Sequence, residues 1–139
     1  MNGTVLVAGG TGRVGTHAVN FLSRSENVKR IIIVGRDSLS GRTILNNATI
    51  SAALNQFYPK IEYRKANLRD EEETLNLLQE TQPNAILFAA TAMSMFPFHG
   101  MKTQSTGAYF IIRDLAILYP FMKTLKRAGI KTQLVNVAN

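Results

Sequence analysis

Val5-Leu6-Val7-Ala8-Gly9-Gly10-Thr11-Gly12-Arg13-Val14-Gly15 runs from an apolar strand straight into a cluster of glycines. The glycines satisfy two spacings at once: G-x-G-x-x-G through Gly10, Gly12 and Gly15, and G-x-x-G-x-x-G through Gly9, Gly12 and Gly15. A buried strand that ends in such glycines and opens a helix is how a doubly wound sheet holds a dinucleotide pyrophosphate. Glycine is required where the turn takes φ > 0 and where the backbone must approach phosphates without a Cβ in the way. The helix start adds N–H groups that have no intrahelical partner and the positive end of the helix dipole. Gly9, Gly10, Thr11, Gly12, Arg13, Val14 and Gly15 are therefore the candidate pyrophosphate residues. No Lys-Ser or Lys-Thr pair follows them, which excludes the phosphate-cradling loop of NTPases.

Working outward, Ala18, Phe21 and Leu22 continue Val14 at helical spacing, and Arg30-Ile31-Ile32-Ile33-Val34 supplies a second strand where a βαβ unit needs one. The alternation continues to the end of the chain. Strands are predicted near 3–8, 30–34, 60–66, 84–90 and 132–138, and helices near 13–25, 43–57, 70–81 and 106–128. This pattern predicts a doubly wound parallel five-stranded sheet of order 3-2-1-4-5 in a three-layer αβα Rossmann-type domain covering residues 1–139. Asp70 with Glu73 reads as an N-cap and its capping-box partner. Pro120 is expected to kink or split the last helix, because it lacks the N–H that would reach residue 116. Strand three carries Glu62, Arg64 and Lys65, a defence suited to an edge. Strand five, Leu134-Val135-Asn136-Val137-Ala138, carries no charge. Such an edge invites pairing, either with more chain in a longer enzyme whose substrate domain lies elsewhere or with a second copy in a homo-oligomer.

The apolar fraction of 45% is ordinary, and no run is long enough to span a bilayer, so no membrane partner is expected. The chain enters its first strand at once, which predicts no signal peptide. The absence of cysteine excludes disulfides and fits a cytoplasmic setting. His17 and His99 have no acidic or histidine partner at ligand spacing, so no metal is expected. The net charge of +7 is scattered through every element and is not interleaved with aromatics. A basic surface around a polyanionic cofactor explains it, and no nucleic-acid partner is expected.

The end of the second strand bears on NADP against NAD. An acidic residue there would bind both ribose hydroxyls and repel a 2′-phosphate. Here the chain reads Val34-Gly35-Arg36-Asp37-Ser38, with glycine in the acid's usual place. Arg36 can stack on adenine and hold the phosphate bidentately, with Ser38 as a second donor and Arg13 and Arg42 adding charge. Asp37 becomes the ribose ligand if the register shifts by two. NADP is favoured, with NAD the alternative.

On VLVAGGTGRVGTHAVNFL, IIIVGRD, KANLRDEE and NAILFAAT, the chain resembles the NAD(P)-binding domains of saccharopine dehydrogenase-like and atypical short-chain dehydrogenase families. The resemblance covers about the first ninety residues. It implies that Asn67, with Leu68 beside it, meets the adenine, and that Ala89, Ala90 and Thr91 line the nicotinamide ribose. Tyr119 and Lys123 match a Y-x-x-x-K pair, but they precede strand five whereas the family pair follows it, and they read as a packing tyrosine and a surface lysine. The tail is similar to lactate and malate dehydrogenases, which makes Arg113 and Asn136 substrate-side candidates. The resulting expectation is a dehydrogenase or reductase domain that moves hydride between a nicotinamide cofactor and a small carbonyl, hydroxy or amino-acid-type substrate. The apolar loop 91–105, with Met93, Met95, Phe96 and Phe98, is expected to close near the nicotinamide. Two alternatives stand beside it: a non-catalytic NADPH-sensing module resembling NmrA-like regulators, and an assembly domain that uses the fifth-strand edge.

Overall fold

The computed structural model describes residues 3–92 and 106–137. Nine elements alternate along it: β1 (Thr4–Ala8), α1 (Arg13–Leu22), β2 (Arg30–Gly35), α2 (Ser38–Leu54), β3 (Lys60–Lys65), α3 (Glu71–Thr81), β4 (Ala85–Phe88), α4 (Thr106–Ala128) and β5 (Gln133–Asn136). All strand pairs are parallel, and the sheet order is β3-β2-β1-β4-β5. This is the predicted doubly wound Rossmann-type sheet.

The period of two along each strand divides the core between the faces. Leu6, Ala8, Ile32, Val34, Ile86 and Phe88 point to the side where Leu77 and Leu78 of α3 and Ile117 and Phe121 of α4 pack. Val7, Ile31 and Ile33 point to the other side, against Val19 of α1 and Ile44 and Ala48 of α2. β1 and β2 are buried on both faces, which is why they read as continuous aliphatic runs.

Three expectations need correction. Helix α2 starts at Ser38, five residues before the predicted start at 43, because Asp37 caps it. Its first turns are largely solvent-facing, so the apolar spacing appears only from Ile44 onward. Of the two outcomes expected at Pro120, a kink or a split, the split does not occur, and helix α4 runs through the proline. Proline removes one hydrogen bond there, while Ile117 and Phe121 anchor the helix on both sides, the Phe121 ring centroid lying 4.9 Å from that of Phe88. Strand five is shorter than predicted and forms the sheet's outer edge, with Val135 55% exposed.

Candidate functional site

In a parallel sheet of this order, the loops after β1 and β4 part company in opposite directions and leave a crevice at the carboxyl ends of the strands. A cleft of about 160 Å³ lies there, lined by Gly9, Thr11, Gly12, Val34, Gly35, Arg36, Ala66, Asn67, Leu68, Arg69, Ala89, Ala90, Thr91 and Ile117.

The structure decides between the two glycine spacings. Gly9 has φ +77°, and a Cβ there would stand 2.7 Å from the backbone of Ala90, so it makes both the bend and the close approach to β4. A Cβ on Gly15 would lie 2.3 Å from the Gly9 oxygen, which lets α1 start hard against the turn. At Gly12 an added Cβ would meet only that same oxygen, at 3.2 Å, and otherwise faces open space. Gly9, Gly12 and Gly15 thus divide the work, whereas Gly10 packs on the Ile33 side chain and donates to the Val34 oxygen at 2.9 Å. Gly12 is the N-cap of α1 and brings no side-chain acceptor to the first-turn amides of Arg13, Val14 and Gly15. Arg13 and Val14 are exposed.

Arg36 lines the cleft at the end of β2, as the sequence predicts. Asp37 and Ser38 turn out to serve α2. The Asp37 carboxylate accepts from the amides of Leu39 (3.2 Å) and Ser40 (3.1 Å) and from the Ser40 hydroxyl. The Ser40 hydroxyl and amide, then the Leu39 amide, hold its pKa below the usual carboxylate range. Ser38 is the first residue of the helix.

Asn67 and Leu68 sit in the turn after β3, inside the cleft. The Asn67 amide donates to Glu73 at 2.7 Å, and its side-chain oxygen accepts from the Arg69 amide at 3.2 Å. The capping box is thereby modified. Asp70 accepts from the Glu73 amide at 3.0 Å as predicted, but the Glu73 carboxylate reaches back to Asn67 instead of Asp70. Ala89, Ala90 and Thr91 form the opposite wall.

Sequence reasoning missed Arg69 and Ile117. Arg69 reaches from the β3 turn across to the Ala92 carbonyl at 3.3 Å, and Ile117 closes the cleft floor from α4. Neither carries a local signal, since each joins the site only once distant elements meet.

Arg113 and Asn136 do not line the cleft. Arg113 is only 7% exposed. Its Nε and Nη2 donate to the two oxygens of Asp114 at 2.7 and 3.0 Å, and its guanidinium lies 5.1 Å from the Phe110 ring centroid. Its Nη1 has no hydrogen-bond partner among the described residues. Asn136 ends β5 opposite Phe88. Tyr119 is exposed on α4. The expected lid residues Met93, Met95, Phe96 and Phe98 lie outside the described residues.

Among the described residues, the cleft lining contains no Asp, Glu, His, Lys or Tyr. Its described polar groups are main-chain amides, Thr11, Thr91, Asn67 and two arginines, donors of the kind an anion takes.

The model of the NAD-dependent epimerase/dehydratase family matches residues 5–138. Among solved structures, the chain is similar to a short-chain type dehydrogenase/reductase from Mycobacterium ulcerans (17% identity, TM-score 0.65, 96% of this chain and 50% of that one). It is also similar to a UDP-glucose 4-epimerase from Stenotrophomonas maltophila with bound NAD and formylated UDP-arabinopyranose (20% identity, TM-score 0.68, 96% and 36%). A third is a short-chain dehydrogenase from Oenococcus oeni (13% identity, TM-score 0.68, 99% and 62%). At these identities the likeness is one of fold, and the chain spans between 36% and 62% of the length of these structures. No functionally curated protein matches the sequence significantly.

Proposed function

The chain belongs to the NAD-dependent epimerase/dehydratase family, and from that membership we propose that its cleft binds a nicotinamide dinucleotide, NADP in preference to NAD. The bound cofactor exchanges hydride with a small carbonyl, hydroxyl or amino-acid-type compound. The observation that carries the reading is the open start of α1: Gly12 faces the cleft with neither a Cβ nor a capping side chain.

In this reading Gly9 shapes the turn and Gly12 admits the pyrophosphate to the amides of Arg13, Val14 and Gly15. Arg36 takes the adenosine 2′-phosphate. Asn67 and Leu68 border the adenine, while Ala89, Ala90 and Thr91 flank the nicotinamide ribose. Support for NADP comes from Asp37, whose carboxylate already accepts three hydrogen bonds in capping α2. Arg113 and Asn136 remain the substrate-side candidates.

Calorimetric titration with NADPH and NADH tests this. Arg36→Ala is expected to weaken NADPH by about 1.5–3 kcal/mol, the worth of a hydrogen bond to a charged group, and to leave NADH nearly unchanged. Equal losses for both overturn the role of Arg36, and no binding of either overturns the whole reading.

One observation favours a second reading, a non-catalytic NADPH sensor: among the described residues, the lining has no acid–base side chain. Turnover of NADPH with a panel of small carbonyl compounds decides between them, since a sensor binds the cofactor without oxidising it.

A further inference from the structure

Tyr63 lies in the middle of β3, opposite Ile33 of β2. Its ring packs against the first turns of α2, where a Cβ on Gly41 would stand 2.3 Å from it. The hydroxyl ends between two main-chain carbonyls, 3.0 Å from the oxygen of Gly35 and 2.9 Å from that of Asp37. Those two residues flank Arg36. Each carbonyl has one further main-chain donor, the Ala66 amide on Gly35 and the Gly41 amide on Asp37, both at 3.0 Å. Among the described residues, the Tyr63 side chain alone bonds to both sides of Arg36. The Arg36 guanidinium itself has no ion pair or hydrogen bond among the described residues, although it lines the cleft.

A long side chain without partners loses much rotamer freedom when it grips a phosphate. Holding its main chain beforehand removes part of that ordering cost. We propose that Tyr63 is a positioning residue for Arg36. By sharing its single O–H proton between the carbonyls on either side of Arg36, Tyr63 holds those two peptide units together, aims the guanidinium into the cleft and sets the preference for a ribose 2′-phosphate. The inference rests on the dinucleotide reading above. Burial, and secondly the nearby Asp37 charge, raise the Tyr63 pKa, so the hydroxyl stays a donor at neutral pH and above. Gly41 belongs to the same device, because only glycine leaves room for the ring at that turn.

The test is calorimetry with NADPH and NADH on the wild type, Tyr63→Phe, Arg36→Ala and the double variant. Tyr63→Phe is expected to weaken NADPH about three- to tenfold, one hydrogen bond's worth, with NADH unchanged. In the Arg36→Ala background it is expected to cost nothing more, because no guanidinium remains to be aimed. Gly41→Ala, which displaces the ring while keeping the hydroxyl, is expected to reproduce the effect of Tyr63→Phe. Equal weakening of both cofactors, or a full additional loss in the double variant, makes Tyr63 merely structural and overturns the inference. If the wild type binds NADPH and Tyr63→Phe leaves the discrimination intact, this inference alone falls. If the wild type binds neither cofactor, the dinucleotide reading falls and takes the inference with it.

Discussion

Helices α1, α2 and α3 all begin at the carboxyl edge of the sheet, directly after β1, β2 and β3, yet they begin in two ways. Asp37 caps α2 through the amides of Leu39 and Ser40, and Asp70 caps α3 through that of Glu73. Helix α3 adds Glu71, Glu72 and Glu73 in its first turn, where a carboxylate suits the positive end of the dipole. Helix α1 has Gly12 at its cap, no side-chain acceptor and no acid in its first turn. Every helix start leaves amides without partners. A chain selected for stability alone satisfies them from within, as α2 and α3 do. At α1 they are left open, and open amides beside a cleft are what an anionic ligand binds. Stability and binding make opposite demands on position 12.

The sharpest way to break this contrast is to make α1 resemble its neighbours. Gly12 has φ −80° and ψ 172°, a geometry an aspartate adopts without strain. Gly12→Asp is therefore expected to fold, its Cβ displacing the Gly9 oxygen by a few tenths of an ångström. Its carboxylate would occupy the amides and face the diphosphate with like charge, at a cost of several kcal/mol. Dinucleotide affinity is expected to fall by about a hundredfold or more in calorimetry, with melting close to wild type. Retained binding would mean the α1 start is not the anion site.

The converse substitution is smaller in effect. Asp70→Ala uncaps α3 and is expected to cost about 1 kcal/mol in denaturant melts. It is expected to leave NADPH affinity within about twofold, because the Asp70 carboxylate is absent from the cleft lining. A loss of binding matching that of Gly12→Asp would show that the two helix starts do not differ in the way argued here.

Much of this was legible in the sequence. The five strands and their order follow from aliphatic runs, glycine spacing and turn signals, all local properties, whereas Asn67, Leu68 and Ala89 to Thr91 are expected at the cleft only through the family resemblance. What was not legible depends on contacts between distant segments. Gly9 and Gly10 are equivalent on paper, and only the approach of Ala90, some eighty residues further on, shows that Gly9 makes the turn. Asp37 reads from the sequence only as a ribose ligand on a shifted register, and its capping of α2 shows once the Leu39 and Ser40 amides are seen pointing at it. The burial of Arg113 against Asp114 and Phe110 likewise has no local signal in the sequence. Tyr63 sits in an edge strand among charges and gives no hint that its hydroxyl holds the loop around Arg36.

The opposite end of the sheet supplies the control, where no effect on the cleft is expected. Glu62 of β3 pairs with Arg30 and Lys60, the first residues of β2 and β3, so this cluster lies toward the amino ends of the strands, away from the cleft. Hydrogen bonds from Arg30 and then Lys60 depress the Glu62 pKa to about 2, from its ordinary 4.5. A depressed carboxylate stabilises the folded state above its unfolded pKa, and that contribution disappears as pH falls through the folded one. Glu62→Gln is therefore expected to be less stable than wild type by a constant amount from neutral pH down to about 4.5, with the gap closing toward pH 2. NADPH affinity is expected to be the same in both proteins. A gap that widens on acidification would reverse the sign of the linkage. A change in NADPH affinity would show that the amino end of the sheet reaches the cleft after all, and the contrast between the helix starts could not then be read as local.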